Sequence, residues 1–181
     1  EKDSFHRAEE LLLQALKLEP KNAKNALLFS NLGLVQRRLG EYDKALADYR
    51  FISGTTEDMP YTRALSYIGQ AEVHEKMEQP ARAVSDYGLA KALLKASDAG
   101  KAENVSEEDV SAKLVQVLYV HAALCETLKN YNTALEDYND LLELGELLRR
   151  PVAFQQFKAV TLRLTGVRRV RLHKRYRLIG G

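Results

Sequence analysis

One phrase recurs along the chain: a small residue followed four positions later by a bulkier one, at Ala8 and Leu12, Ala45 and Tyr49, Ala83 and Tyr87, and Ala134 and Tyr138. The alanines are 37, 38 and 51 residues apart. A four-residue step puts both members on one face of a helix. The small member fits a close helix crossing, where a larger side chain would hold the backbones apart at a cost of about 1–3 kcal/mol.

Each of the last three phrases is preceded by a second apolar stripe at helical spacing. Phe29, Leu32, Gly33, Gln36 and Leu39 lead through Gly40-Glu41 to Tyr42, Ala45, Leu46, Tyr49 and Ile52. Tyr67, Ala71, His74 and Met77 lead through Gln79-Pro80 to Ala83, Tyr87 and Ala90, and Leu118, Ala122, Cys125 and Leu128 lead through Asn130-Tyr131 to Ala134, Tyr138 and Leu141. The first phrase stands alone, with Ala8, Leu12, Ala15 and Leu18 running into Glu19-Pro20-Lys21-Asn22. Only 4 Pro and 10 Gly punctuate the 181 residues. A helical hairpin repeated at a nearly fixed period is the signature of a solenoid, in which each pair buries its apolar face against its neighbours. The excess spacing predicts lengthened helices around a polar loop from about 98 to 105, with Ser106 as the N-cap of the helix that follows. Ser53-Gly54-Thr55-Thr56 reads as a loop before Asp58-Met59, with Pro60 in the first turn of the next helix.

These residues resemble the tetratricopeptide repeat family, with Asn31-Leu32-Gly33-Leu34 through Leu39-Gly40-Glu41-Tyr42-Asp43-Lys44-Ala45-Leu46-Ala47-Asp48-Tyr49 close to its 34-residue pattern. The resemblance covers about residues 4 to 144. It implies an all-α, right-handed superhelix of antiparallel helix pairs over 1–181. Residues 1–22 would be the second helix of a truncated repeat, 26–55, 60–99 and 106–146 three repeats, and 151–181 a basic capping segment. Phe154, Phe157, Ala159 and Leu162 before Gly166 fit a further first helix, but the small residue expected after the turn falls on Arg171. A chain that opens on a second helix is expected to be a piece of a larger, bacterial repeat protein, or to self-associate through that half repeat.

Family members hold peptides or partner proteins in a concave groove lined by the first helices. Carried over residue by residue, the groove would comprise Leu27, Asn31, Leu34, Arg37 and Arg38, then Leu65, Ile68, Glu72 and Lys76, then Gln116, Tyr119, Val120, Ala123 and Thr127. Of the set with which some members grip the carboxylate of chaperone tails, only Asn31 is present. Leu65, Ile68 and Gly69 stand at the cationic positions, so that mode is not expected. A noncatalytic interaction scaffold is the function implied.

The net charge of +2 hides an asymmetry: all 25 acidic residues lie in 1–146 beside 17 Lys/Arg, while 147–181 carries 10 Lys/Arg and no acid. Arg168, Arg169, Arg171, Lys174, Arg175 and Arg177 surround Val170, Leu172, Tyr176 and Ile179. The spacing of Leu172, Tyr176 and Ile179 suits a helix that covers the last repeat, and the alternation of Val170, Leu172 and Tyr176 suits a strand. The alternative function is nucleic-acid binding through this tail, since clustered cations neutralise phosphates. A cap against an acidic body is the preferred reading.

Other classes are excluded or weakened. The longest charge-free stretches, 25–36 and 114–125, have twelve residues each, too few to span a membrane. The single cysteine, Cys125, cannot form an internal disulfide and leaves the compartment open, with the cytoplasm as the default expectation. No Cys/His cluster has zinc-ligand spacing, no glycine-rich phosphate loop occurs, and no cofactor or metal is expected. His121 and Cys125 stand one helical turn apart and could pair as base and thiol, but both fall on packing positions, so an enzyme is not expected.

Overall fold

The computed structural model describes residues 2–18, 23–96 and 99–145. Among them are seven α-helices and no strand: α1 (Lys2–Leu18), α2 (Ala26–Leu39), α3 (Tyr42–Thr55), α4 (Pro60–Lys76), α5 (Pro80–Lys95), α6 (Glu107–Thr127) and α7 (Tyr131–Glu143). Short 3-10 turns lie at Ala23–Asn25 and Lys101–Glu103. No helix of the described residues is long and apolar enough to cross a membrane. The chain forms two compact units, 1–117 and 118–181, divided within α6.

Three turns share one hydrogen-bonding scheme. After α2, the Gly40 amide donates to the Arg37 carbonyl and the Glu41 amide to that of Gln36. After α4, Glu78 bonds to Glu75 and Gln79 to His74; after α6, Lys129 bonds to Glu126 and Asn130 to Cys125. This double closure is the Schellman motif, which needs a left-handed residue just past the helix. Gly40 (φ 84°), Glu78 (φ 58°) and Lys129 (φ 60°) supply it. The next helix starts at once, as Ala45, Ala83 and Ala134 donate to the carbonyls of Glu41, Gln79 and Asn130.

In the first unit α1 packs on α2, α2 on α3, α3 on α4 and α4 on α5, and α2 also touches α4. Ala26, Phe29, Ala45, Leu46, Tyr49, Ile52 and Val73 form a buried cluster, with Leu16, Tyr42, Phe51 and Met77 packed against it. The Phe29 and Phe51 rings are tilted at 51° with centroids 4.5 Å apart. The Tyr49 ring lies against two glycines: a Cβ on Gly33 would stand 2.9 Å from its Cζ, and one on Gly69 would stand 2.4 Å from its Cε1. The small positions of α2 and α4 are therefore the seat of the aromatic from α3.

Two local features differ from the sequence reading. Ser53, Gly54 and Thr55 belong to α3 rather than to a loop. The hydroxyls in this stretch turn back on the helix: Ser53 Oγ donates to Arg50 O (3.2 Å), Thr55 Oγ1 to Phe51 O (2.8 Å) and Thr56 Oγ1 to Ile52 O (2.7 Å). Turn-forming side chains are thus satisfied within the helix. The segment before α6 also has a role that its polarity does not reveal. Pro60 opens α4 without an amide proton, and the Glu103 carboxylate accepts from the next two amides, Tyr61 (2.7 Å) and Thr62 (2.9 Å), as well as from the Thr62 hydroxyl. A negative charge at these amides answers both the unpaired donors and the helix dipole. Ser106 caps α6 as its sequence predicts, accepting from the Asp109 amide at 3.0 Å and donating to the Asp109 carboxylate at 2.6 Å.

Two glycine substitutions should have opposite effects in urea denaturation. Gly69→Ala should lose about 1–3 kcal/mol by driving a methyl into Tyr49, whereas Gly54→Ala, which meets nothing within 4 Å, should gain about 0.5–1 kcal/mol in helix propensity. Glu103→Ala should cost about 1–2 kcal/mol through loss of the cap.

Candidate functional site

The expected groove positions fall on α2, α4 and α6 with different exposures. Leu27 (72% exposed) and Leu65 meet across a recess between α2 and α4 that Ala26 and Ile52 also line, with Met59, Lys24, Ser30, Thr62 and Ser66 around it. Thr62 ties its edge to the Glu103 cap. Asn31, Leu34, Arg38 and Lys76 are exposed on the same two helices.

Arg37 has a different role from the one its sequence position suggests. Its guanidinium lies 2.5 Å from the Glu72 carboxylate, with side chains 15% and 31% exposed. This pair joins α2 to α4, and its charges answer each other before any partner arrives. Ile68 is buried. Gln116 is exposed, and its side-chain oxygen accepts from Lys113 Nζ at 3.1 Å. In the second unit Tyr119, Val120 and Ala123 are half-buried, and Thr127 is exposed, its hydroxyl donating to Ala123 O. The tail residues Arg168, Arg169, Arg171, Lys174, Arg175 and Arg177 lie outside the described residues.

The repeat aromatics anchor a polar network. Tyr87 donates to Glu75 Oε1 (2.6 Å) and Tyr138 to Glu126 Oε1 (2.8 Å), each acid standing twelve residues before its tyrosine. Burial, then these carboxylates, push both phenols well above their usual range. The same position before Tyr49 holds Arg37. There burial raises the phenol to about 12, opposed by the Arg37 charge and reinforced by Glu72.

The residue before each tyrosine is an aspartate, Asp48, Asp86 or Asp137. His74 Nδ1 lies 2.6 Å from Asp86 Oδ2, and burial raises the Asp86 carboxyl while the His74 hydrogen bond holds it back. In the second unit His121 Nδ1 lies 2.5 Å from Asp137 Oδ2, and the other ring nitrogen faces Cys125 Sγ at 3.9 Å. Burial works to lower the His121 pKa, but the hydrogen bonds to Asp137 and Cys125 outweigh it and bring the value to about 9. Cys125, His121 and Asp137 are 0%, 3% and 0% exposed. The arrangement has the order of a thiol, base and orienting acid, but a nucleophile with no exposed surface reaches no substrate in this conformation.

Sequence reasoning placed His121 and Cys125 one turn apart and missed Asp137, which enters from α7. The available signal was the aspartate preceding every repeat tyrosine. The Glu103 cap had none, being 41 and 42 residues from its amides.

No protein-family model matches this chain, and no curated protein matches its sequence.

Asp137→Ala should destabilise the chain by about 3–5 kcal/mol by leaving the imidazolium buried without its counter-ion, as read by urea denaturation. In the native protein Cys125 should resist an aromatic disulfide reagent and react only as fast as the chain opens; a stoichiometric burst within the mixing time would contradict its burial.

Proposed function

We propose that this chain is a noncatalytic interaction scaffold of tetratricopeptide type, its helix pairs stacked in a right-handed superhelix, that holds a peptide or partner protein against its first helices. The carrying observation is the recess between α2 and α4, where Leu27 is exposed and meets Leu65 beside Ser30, Thr62 and Ser66. An apolar side chain of the partner would fill it, and the surrounding hydroxyls would select the backbone or polar groups beside that anchor. Because Arg37 is engaged by Glu72, Arg38 and Lys76 are the cations offered to an acidic partner. The three Schellman turns support the family reading, since they repeat a geometry as well as a sequence phrase.

The rival reading, nucleic-acid binding through 147–181, rests on ten cations with no acid in that segment. The two are separated by affinity capture with the full chain and with Leu27→Glu/Arg38→Glu, two exposed positions whose change should leave the helical circular dichroism intact. The scaffold predicts protein partners that survive nuclease and are weakened at least about tenfold by the double change, the loss of roughly one good anchor. Unchanged capture by the variant would refute this placement of the groove. Tight, steeply salt-dependent RNA or DNA binding at about 150 mM salt would move the function to the tail.

A further inference from the structure

The side chains of Cys125, His121 and Asp137 offer three donor atoms within 4.8 Å of one another, all buried. We propose that Cys125 and His121 form a buried site for Cu+, a thiophilic d10 cation of low coordination number, with Asp137 as the positioning residue for the imidazole.

The donors fit that class by spacing. A thiolate and an imidazole nitrogen bind such ions at about 2.3 Å and about 2.0 Å, so they stand about 3.5 Å apart on a tetrahedral ion and about 4.3 Å apart on a linear one. Cys125 Sγ and His121 Nε2 are 3.9 Å apart, the opening of an intermediate angle. Two such donors on an octahedral ion would lie only about 3.0 Å apart. At 3.9 Å, Cys125 Sγ and His121 Nε2 are joined by a long sulfur hydrogen bond, which the ion would replace.

The second argument is the carboxylate. A histidine that binds metal through one nitrogen characteristically donates its other N–H to a carboxylate, which fixes the tautomer and turns the lone pair toward the ion. Asp137 Oδ2 stands 2.5 Å from Nδ1, and the Cys125 thiol contacts the other ring nitrogen, Nε2. A soft sulfur and nitrogen pair disfavours Mg2+ and Ca2+, which prefer oxygen. On binding, the ion replaces the thiol proton and the proton on Nε2, both of which leave to solvent, and no electron is transferred.

The site is internal, so the full chain should be unfolded and refolded anaerobically in excess reductant with Cu+, Zn2+ or Mg2+ alone. Cys125 is the sole cysteine, and any thiolate-to-metal absorption therefore reports on it. The expected result is one equivalent of Cu+ retained through desalting, with a raised melting temperature and a thiolate-to-metal band, and none of these for Zn2+ or Mg2+. Retention of Zn2+ in place of Cu+ overturns the low-coordinate assignment, because Zn2+ takes four donors. Cys125→Ser should abolish retention, and Asp137→Asn should weaken it about 10–100-fold while leaving the stoichiometry at one. Should either variant fail to fold, the wild-type absorption and stoichiometry decide. Absence of retained Cu+ in the wild type, or retention unaffected in a folded Cys125→Ser protein, overturns the proposal.

Discussion

The contact on which the first unit depends is the Tyr49 ring lying between Gly33 and Gly69. Burial of an aromatic ring is among the largest single gains available to a helical core, and here it requires that two neighbouring helices present no side chain at the point of contact. The separation of α2, α3 and α4 is thereby set by the thickness of one ring. The ring also carries a hydroxyl to the end of its reach, where it needs polar company. Arg37 and Glu72 surround the Tyr49 hydroxyl with opposite charges, whereas Tyr87 and Tyr138 each find a glutamate on the preceding helix. Around Tyr49 the two glycines, the ring and the charged residue twelve positions earlier are thus parts of one packing solution.

That solution shapes the outer surface of α2 and α4. Arg37 and Glu72 project from those helices beside the candidate groove, and their mutual pairing removes both from the charges a ligand would meet. What is left is an apolar anchor point at Leu27 and Leu65, hydroxyls around it, and cations at Arg38 and Lys76. On the proposed reading, such a surface would select first by shape and apolar area, and only secondarily by charge, because exposed ion pairs contribute little in salt. The Glu103 carboxylate, by tying the segment before α6 to the start of α4, holds Thr62 at one edge of the recess.

The helical architecture was legible because its signals are local. Alternate apolar faces, Ala and Tyr four residues apart, proline at the first turn of α4 and α5, and serine before α6 each act within one or two turns. The end of α3 was misread for an equally local reason: serine and threonine favour turns or satisfy a helix depending on a hydroxyl rotation that the sequence leaves open. The partners of Arg37, Glu103 and His121 lie on other helices, and their identity depends on the register in which those helices meet. A charge at a groove position reads as ligand-facing until the opposing residue is known. For Arg37 that residue, Glu72, had itself been assigned to the groove, so both members were seen and their pairing was not.

The distribution of buried polar groups among the repeats explains why donors gather in one place. The position thirteen residues before the tyrosine is Gln36, His74 or Cys125. On α4 the histidine at this position bonds Asp86 directly and leaves its Nε2 without a partner. On α6 cysteine takes the position and the histidine stands one turn earlier, at 121, so that Asp137 bonds its Nδ1 and the thiol lies against its Nε2. The shift of a histidine by one turn goes with the change from a simple acid and imidazole pair to a cluster of three donors within 4.8 Å of one another. Packing alone gives no reason for that change, because a second alanine or leucine would fill the space without requiring a buried carboxylate to be balanced.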